Sequence, residues 1–423
     1  MSSDSVANRR GQFAVATFLV GNGVSMIGNA LVMVALPWFV LESTGSAGRT
    51  GLVGMMTALP ALASGILGGV LVDRLGGRRM SVISDIISAI AVLLIPLLYQ
   101  TIGLQFWALL LLVFVGAALD IPGVTARRTL LPELARGANM RDEAMNSAYE
   151  TLMGASFVIG PALAGLLIAL IGTVNLLWLT AAGFLVSALL IGLFSPSGKH
   201  VPDPESVHAA TGAWGEIRAG LRYLRTDSLL LSLGIGLTLM NFLNAPYWSV
   251  VLPVQIDDVF GKASRYGLML TMLGLGNLVG GIAYGAFGHL FRSQRRAIYL
   301  IGVASVPVML WVFVVGVSYP AMVVFAFLAG LFSGPINPLL VTVRMERIPK
   351  ELRGRVFATF SGLAGAATPL GMVIAGWMLE FTGIQTGLAI LAIAATAFTI
   401  YLFLDRPLKA MNVETIETIA TAD

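Results

Sequence analysis

Twelve times along this chain a predominantly apolar run reaches about twenty residues, the length a helix needs to cross ~30 Å of hydrocarbon at ~1.5 Å per residue. The runs cover residues 13–41, 51–72, 80–102, 104–125, 144–171, 174–195, 228–256, 266–290, 297–317, 320–343, 355–380 and 384–404. They predict an all-α membrane protein of twelve transmembrane helices.

An even number of crossings returns both termini to one face, so the connectors can be sorted by side. Of the 26 lysines and arginines, 23 fall on the face that holds the termini. The opposite face carries only Arg49, Lys262 and Arg265. By the positive-inside rule the termini are expected in the cytoplasm. Composition agrees, with 57% hydrophobic and 11% charged residues against roughly a quarter charged in soluble proteins. The formal charge of +4 therefore reflects topology and gives no reason to expect a nucleic-acid partner. The expected surroundings are a lipid bilayer, a bacterial inner membrane in particular. No cysteine is present, which excludes disulfides and Cys metal sites. Arg9 and Arg10 ahead of an apolar run imitate a signal peptide, yet the run to Leu41 far exceeds an h-region of roughly 7–15 residues. It is read as a retained first span.

The second half repeats the first. A shift of 216 residues lays Leu36-Pro37, Gly45, Ala47, Arg49, Gly51 and Leu52 on Leu252-Pro253, Gly261, Ala263, Arg265, Gly267 and Leu268; at about 213 it matches Phe114 and Pro122 to Phe327 and Pro335. Spans 1–6 and 7–12 thus read as parallel repeats. The expected divisions are a six-helix bundle at 1–195, a cytoplasmic linker with an interfacial amphipathic helix at 196–227, a second bundle at 228–405 and a tail at 406–423. In the linker, Trp214, Ile217, Leu221 and Leu224 share one helical face, and Arg218, Arg222 and Arg225 the other.

Ionisable residues inside spans are expensive and mark function by default. Asp85, Asp120 and Glu150 are the clear cases, each five or six residues in from the basic face. With Asp73, Arg74, Arg78, Arg79, Arg127 and Arg128 they gather at one end of the first half. They are either proton carriers or a salt-bridge latch holding helices 2 to 5, and for Asp85 the latch is preferred. Glu150 shares a helical face with Gly154, Pro161 and Gly165, so it is expected to point into the bundle. The second half offers no matching acid.

Uncharged polar stripes mark the first span of each half. Asn22, Ser25 and Asn29 form one; Asn241, Asn244 and Trp248 form the other, and Ser25 is the repeat partner of Asn241. Such stripes either bond across helices or face a wet cavity, and the cavity is preferred. Met240, Tyr247 and Asn337 could join its lining. Amide donors on an aromatic and Met-bearing wall without fixed charge suit an amphipathic solute and suit metal ions poorly. No metal site, nucleotide-binding loop or nucleophile with a base is present in the sequence, so neither an enzyme nor a cofactor is expected.

Between spans 2 and 3, Gly69-Val-Leu-Val-Asp73-Arg74-Leu-Gly76-Gly77-Arg78-Arg79 resembles the signature loop of the major facilitator superfamily. In span 5, Gly154 through Gly160-Pro161-Ala-Leu-Ala-Gly165 resembles the Gly-Pro motif of that family's proton-driven exporters. Leu36-Pro37-Trp38-Phe39 and Arg353-Gly354-Arg355-Val356-Phe357 extend the similarity to the twelve-span drug:proton branch that includes macrolide efflux proteins and the enterobactin exporter. The resemblance implies two pseudo-symmetric six-helix bundles and export by alternating access, energised by the proton gradient. It also implies an inner latch in which Asp73, with Arg78 or Arg79 and Asp120, stabilises one state. Many family exporters carry an acid in span 1, where this chain has Asn22 and Asn29, which shifts the expected proton coupling to Asp120 and Glu150.

The leading expectation is therefore a monomeric secondary exporter of amphipathic small molecules exchanging with protons. The alternatives are a lipid or lysolipid mover uncoupled from protons, and a transporter-like sensor without turnover.

Overall fold

The computed structural model describes residues 3–196 and 213–412; side-chain surroundings are further undescribed for 3–8, 61, 63–70, 213, 214, 216 and 217. The expected face of Trp214 and Ile217 thus lies outside the described residues, as do Gly69's surroundings and the tail from 413 on.

Every expected span falls on helix, and no strand occurs among the described residues. In chain order the first half is α1 (Ser3–Thr44), α2 (Ala47–Leu75), α3 (Gly77–Thr101), α4 (Phe106–Ala118), α5 (Asp120–Gly137), α6 (Asp142–Ile171) and α7 (Thr173–Phe194). After α8 (Ala213–Leu224) come α9 (Ser228–Pro246), α10 (Leu252–Phe260), α11 (Ala263–Phe287), α12 (Arg295–Val315), α13 (Tyr319–Ser333), α14 (Ile336–Arg347), α15 (Arg353–Thr382) and α16 (Ile384–Leu404). Ten helical stretches of the described residues are long and apolar enough to cross a membrane; one, Ala263–Val315, carries the eighth and ninth expected spans together.

The joints follow from residue chemistry. Gly172 and Gly383 (φ 81° at both) each end one helix and begin the next, a left-handed turn that any Cβ would strain. Spans 4 and 10 are each broken in two, at Leu119 and at Gly334. Pro122 and Pro335, which the repeat aligns, stand at those breaks, because proline lacks the N–H and crowds the carbonyl four residues back. Asp227 caps α9, its Oδ1 accepting from the backbone N–H of Leu229 (2.9 Å) and Leu230 (3.2 Å).

The chain divides into two compact units: residues 1–213 with 256–267, and 214–255 with 268–423. In the first, α1 packs on α6 and α7, and α3 on α5 and α7. In the second, α9 packs on α15, and α12 on α16. Repeat-related helices thus take corresponding partners in both units, the architecture expected of two six-helix repeats. Segment 256–267 belongs to the first unit, where Tyr266 stacks on Trp38 (6.4 Å between centroids). The repeat-related Arg49 and Arg265 each cover an aromatic ring, Phe106 at 5.3 Å and Phe260 at 4.2 Å.

Close approach in the second unit depends on glycine. A Cβ added at Gly276 would strike the Phe327 carbonyl oxygen, one at Gly280 that of Leu331, and one at Gly330 that of Leu273. Gly276 and Gly280 on α11, with Gly330 on α13, form a small-residue seam along which two backbones meet.

Candidate functional site

Helices α3 and α5 face each other near the basic end of the first unit, and serines on α3 bind the end of α4 and the joint that leads into α5. Ser84 Oγ donates to the Leu119 carbonyl (2.9 Å) and Ser88 Oγ to that of Gly116 (3.2 Å). A side chain at Gly123 would meet Ser84, so the glycine lets α5 come this close.

At the centre of the contact Arg127 forms an ion pair with Asp85, each side chain 2% exposed. Ser25 of α1 donates to Asp85 Oδ1 (2.8 Å), and Ser187 of α7 donates to Oδ2 (2.7 Å). Arg127 Nη2 also donates to Ser25 Oγ (3.0 Å). Four helices thus converge on one carboxylate. Such a pair has to recover a large desolvation cost, and it does so only because the serines satisfy the remaining lone pairs. The guanidinium Nε is buried without a partner among the described residues. Asp120, half-buried at the first position of α5, lies beside Ser88 and within electrostatic reach of both Arg127 and Asp85. One carboxylate, Asp85, is thus bonded to the buried guanidinium, and a second, Asp120, lies within its field.

Glu150 stands elsewhere. It is 49% exposed and pairs at 2.9 Å with Arg128, itself 51% exposed, which also lies over the buried Tyr149 ring at 5.6 Å. The inward orientation expected from its helical face is corrected: Gly160 and Gly165 of α6 meet packing neighbours, while Glu150, like Gly154 on the same face, is open to its surroundings. Gly160 meets Ala30 of α1, Gly165 meets the backbone of Ala263 and Ser264, and Gly154 has nothing within 4 Å of its would-be Cβ. Of the signature loop, Asp73 and Arg74 close α2, Gly76 (φ 78°) forms the turn, and Arg78 and Arg79 open α3. Asp73 and Arg78 are half-buried and both engaged.

The two polar stripes part company. Asn22 and Ser25 are 0% and 1% exposed, inside the first bundle. Asn22 Nδ2 reaches Met26 Sδ at 3.5 Å, and Ser25 serves the Asp85–Arg127 pair. The preferred cavity reading is thus corrected for these two, which are buried, Asn22 bonded within α1 and Ser25 across to α3 and α5; Asn29 beside them is half-buried. In the second unit, Asn244, Tyr247 and Trp248 do line a cavity, of about 190 Å³, with Asn277, Ser305 and Ser333. Asn241 is instead bonded to the Ala364 carbonyl (3.3 Å), Met240 lines a separate apolar cleft, and Asn337 is exposed. The wall is shaped by a π-helical turn, Tyr247–Val251, in which the Leu252 N–H reaches the Tyr247 carbonyl. Nothing in the spacing signalled this turn beyond Pro246 and Pro253 on either side of it.

Among the described residues no group of three or more His, Cys, Asp or Glu side chains could hold a metal ion.

Residues 18–261 and 234–421 match the family model described as Major Facilitator Superfamily. The chain is 34% identical over 361 residues to a protein named multidrug efflux pump Tap from Mycolicibacterium fortuitum, covering 85% of this chain and 87% of that one. It is 24% identical over 390 residues to macrolide efflux protein A of Streptococcus pyogenes, covering 87% and 90%. Among solved structures, the nucleoside transporter NupG aligns with a TM-score of 0.73 at 13% identity, over 92% of this chain and 98% of that one. A bacterial homologue of the lysosomal transporter Spinster aligns with a TM-score of 0.70 at 14% identity, over 96% and 99%. At these identities the two structures speak to fold alone.

Proposed function

Because this chain belongs to the Major Facilitator Superfamily, we propose that it is a secondary active exporter of amphipathic, drug-like small molecules, working by alternating access with protons entering in exchange. The observation that carries the reading is likeness over most of the chain to proteins named multidrug efflux pump and macrolide efflux protein.

The charge arrangement supports the proton step. Arg127 has one direct carboxylate partner, Asp85, and a second carboxylate, Asp120, within its field. In this reading Asp85 stays paired and Asp120 takes up and releases the proton. A charged Asp120 competes for the guanidinium; a neutral one leaves it wholly to Asp85. Since α5 carries Asp120 and Arg127 while α3 carries Asp85, the change in charge acts on the α3–α5 contact and on the serines of α1 and α7 joined to it. Glu150, bound to Arg128, tethers α6 to α5 and is the second candidate for the proton. The Asp73–Arg79 turn, adjoining α3, serves as the latch.

In this reading the protein works as a monomer in a bacterial inner membrane with both termini in the cytoplasm; the excess of basic residues on the terminal side supports that orientation. The proton gradient is the energy source, and no cofactor enters the scheme.

The test is a pH measurement inside sealed vesicles holding the purified protein, challenged with amphipathic cations, macrolides and zwitterions. Substrate-dependent proton movement is the expected result. Substrate flux with no proton movement would replace the reading with a facilitator or a lipid mover.

A further inference from the structure

Among the described residues three arginines are buried: Arg127, Arg295 and Arg344. The first two each hold a carboxylate, Asp85 and Glu346. Arg344, 7% exposed, forms no ion pair among the described residues: Glu346, two residues on, is taken by Arg295, and Asp227 by Arg347. What holds its guanidinium is one backbone bond, Nε donating to the Leu340 carbonyl (3.0 Å), and two rings of α15, Phe357 at 4.8 Å and Phe360 at 5.1 Å.

A ring face offers a cation about 0.5–2 kcal/mol, whereas a buried ion forfeits several kcal/mol of hydration. The charge of Arg344 is thus under-compensated by the chain itself. Neither of its terminal nitrogens bonds to the described residues, and neither is sealed off as the Nε of Arg295 is. Their N–H donors stand open in one plane, the fork that an oxyanion accepts through two oxygens. Position says which oxyanion. The apolar run 320–343 stops one residue before Arg344, so the guanidinium lies where hydrocarbon ends and headgroup phosphates begin. Arg347, Lys350 and Arg353 follow at the same end, and basic pockets between spans at this level hold anionic headgroups.

We propose that Arg344, seated on Phe357 and Phe360, is a binding site for the phosphate of an anionic phospholipid, which supplies the counter-ion that the chain does not. Its helices, α14 and α15, both belong to the second unit. The site stands apart from the Asp85–Arg127 centre and is independent of the exporter reading.

The test is to equilibrate the purified full chain by gel filtration with micelles doped with radiolabelled phosphatidylglycerol, or with diacylglycerol of the same acyl chains, and to count the lipid carried per chain. At about 1 M salt the screening length is ~3 Å, so lipid held by surface charge alone is stripped while a buried pair persists. Saturable retention of phosphatidylglycerol is expected there, favoured roughly 10-fold or more over diacylglycerol, the worth of one charge-assisted bond. Arg344→Gln should reduce it to the diacylglycerol level, and Lys350→Gln, at an exposed position, should leave it unchanged. Should Arg344→Gln aggregate, Phe357→Leu takes one ring from the guanidinium and should weaken retention by roughly 2- to 5-fold. Loss of the preference at high salt, its survival in Arg344→Gln or, where that variant aggregates, undiminished in Phe357→Leu, or an equal fall in Lys350→Gln overturns the proposal, leaving a basic face of no particular site. Displacement of the lipid by millimolar inorganic phosphate would make the occupant a soluble oxyanion and overturn the lipid assignment.

Discussion

Arg127 and Asp85 stand 42 residues apart in the chain and meet with both side chains 2% exposed, so that α3 and α5 are joined through a charge pair sealed from the surroundings. Ser187, 102 residues from Asp85, closes the far side of the same carboxylate. The pair is structural as well as electrostatic, and its two roles can be separated.

Removal of one partner leaves a buried charge uncompensated. Asp85→Ala and Arg127→Ala should each cost about 3–5 kcal/mol, whereas replacement of both by Leu and Met should cost much less. Ser187→Ala should cost about 1 kcal/mol. Thermal unfolding in detergent, followed by near-ultraviolet circular dichroism, reads all four; equal losses for the single and double changes would contradict the pairing.

Asp120→Asn should abolish the pH dependence of transport and still bind substrate. Glu150→Gln should keep the pH dependence, and its stability should change by no more than about 1 kcal/mol because Glu150 and Arg128 are both about half exposed. Efflux from sealed vesicles at a series of imposed pH gradients separates the two. A pH profile flattened by Glu150→Gln and untouched by Asp120→Asn would reverse the assignment.

The seam between α11 and α13 has no room for a side chain at Gly280, where a Cβ would run into the Leu331 carbonyl. Gly280→Leu should therefore force the helices apart and cost at least ~1–3 kcal/mol, seen as loss of the monodisperse peak in size-exclusion chromatography. Gly362→Ala, with nothing within 4 Å of the new atom, should elute as the wild type does.

In the second unit Arg295, 4% exposed, holds Glu346 through two bonds of 2.6 and 2.8 Å. Lysine cannot reproduce the fork, so Arg295→Lys should destabilise by about 1 kcal/mol, the half-exposed Glu346 keeping the figure low. A double-mutant cycle with Glu346→Gln, measured by thermal unfolding, should return a coupling of that size.

Hydropathy made the helices legible because lipid imposes one length and one backbone solution on every span. The repeat was legible for a similar reason, since joints at glycine and breaks at proline leave residues that can be aligned. The charge centre was harder to read. The apolar run fades by residue 125, which sets Arg127 among the basic loop residues, yet α5 continues to Gly137 and turns Arg127 inward. Depth along α3 is all that the sequence offers for Asp85, and depth cannot reveal that three other helices supply its partners. Ser25 aligns with Asn241 as half of a symmetric stripe, but the second half has no acid for Asn241 to bind. Helical phase describes α6 alone and says nothing of Arg128 alongside Glu150.

The sequence separation within the charge pair also sets a schedule for biogenesis. Asp85 leaves the ribosome 42 residues ahead of Arg127, and at about 5–20 residues per second that is roughly 2–8 s. During this interval α3 carries an aspartate without its guanidinium, at a cost below the ~2.5–3.5 kcal/mol of a helix centre because Asp85 lies toward one end of the span. The span is apolar enough to enter lipid by itself, so what waits for α5 is the charge pair: the first half of this fold cannot close around its carboxylate until the fifth helix has been synthesised.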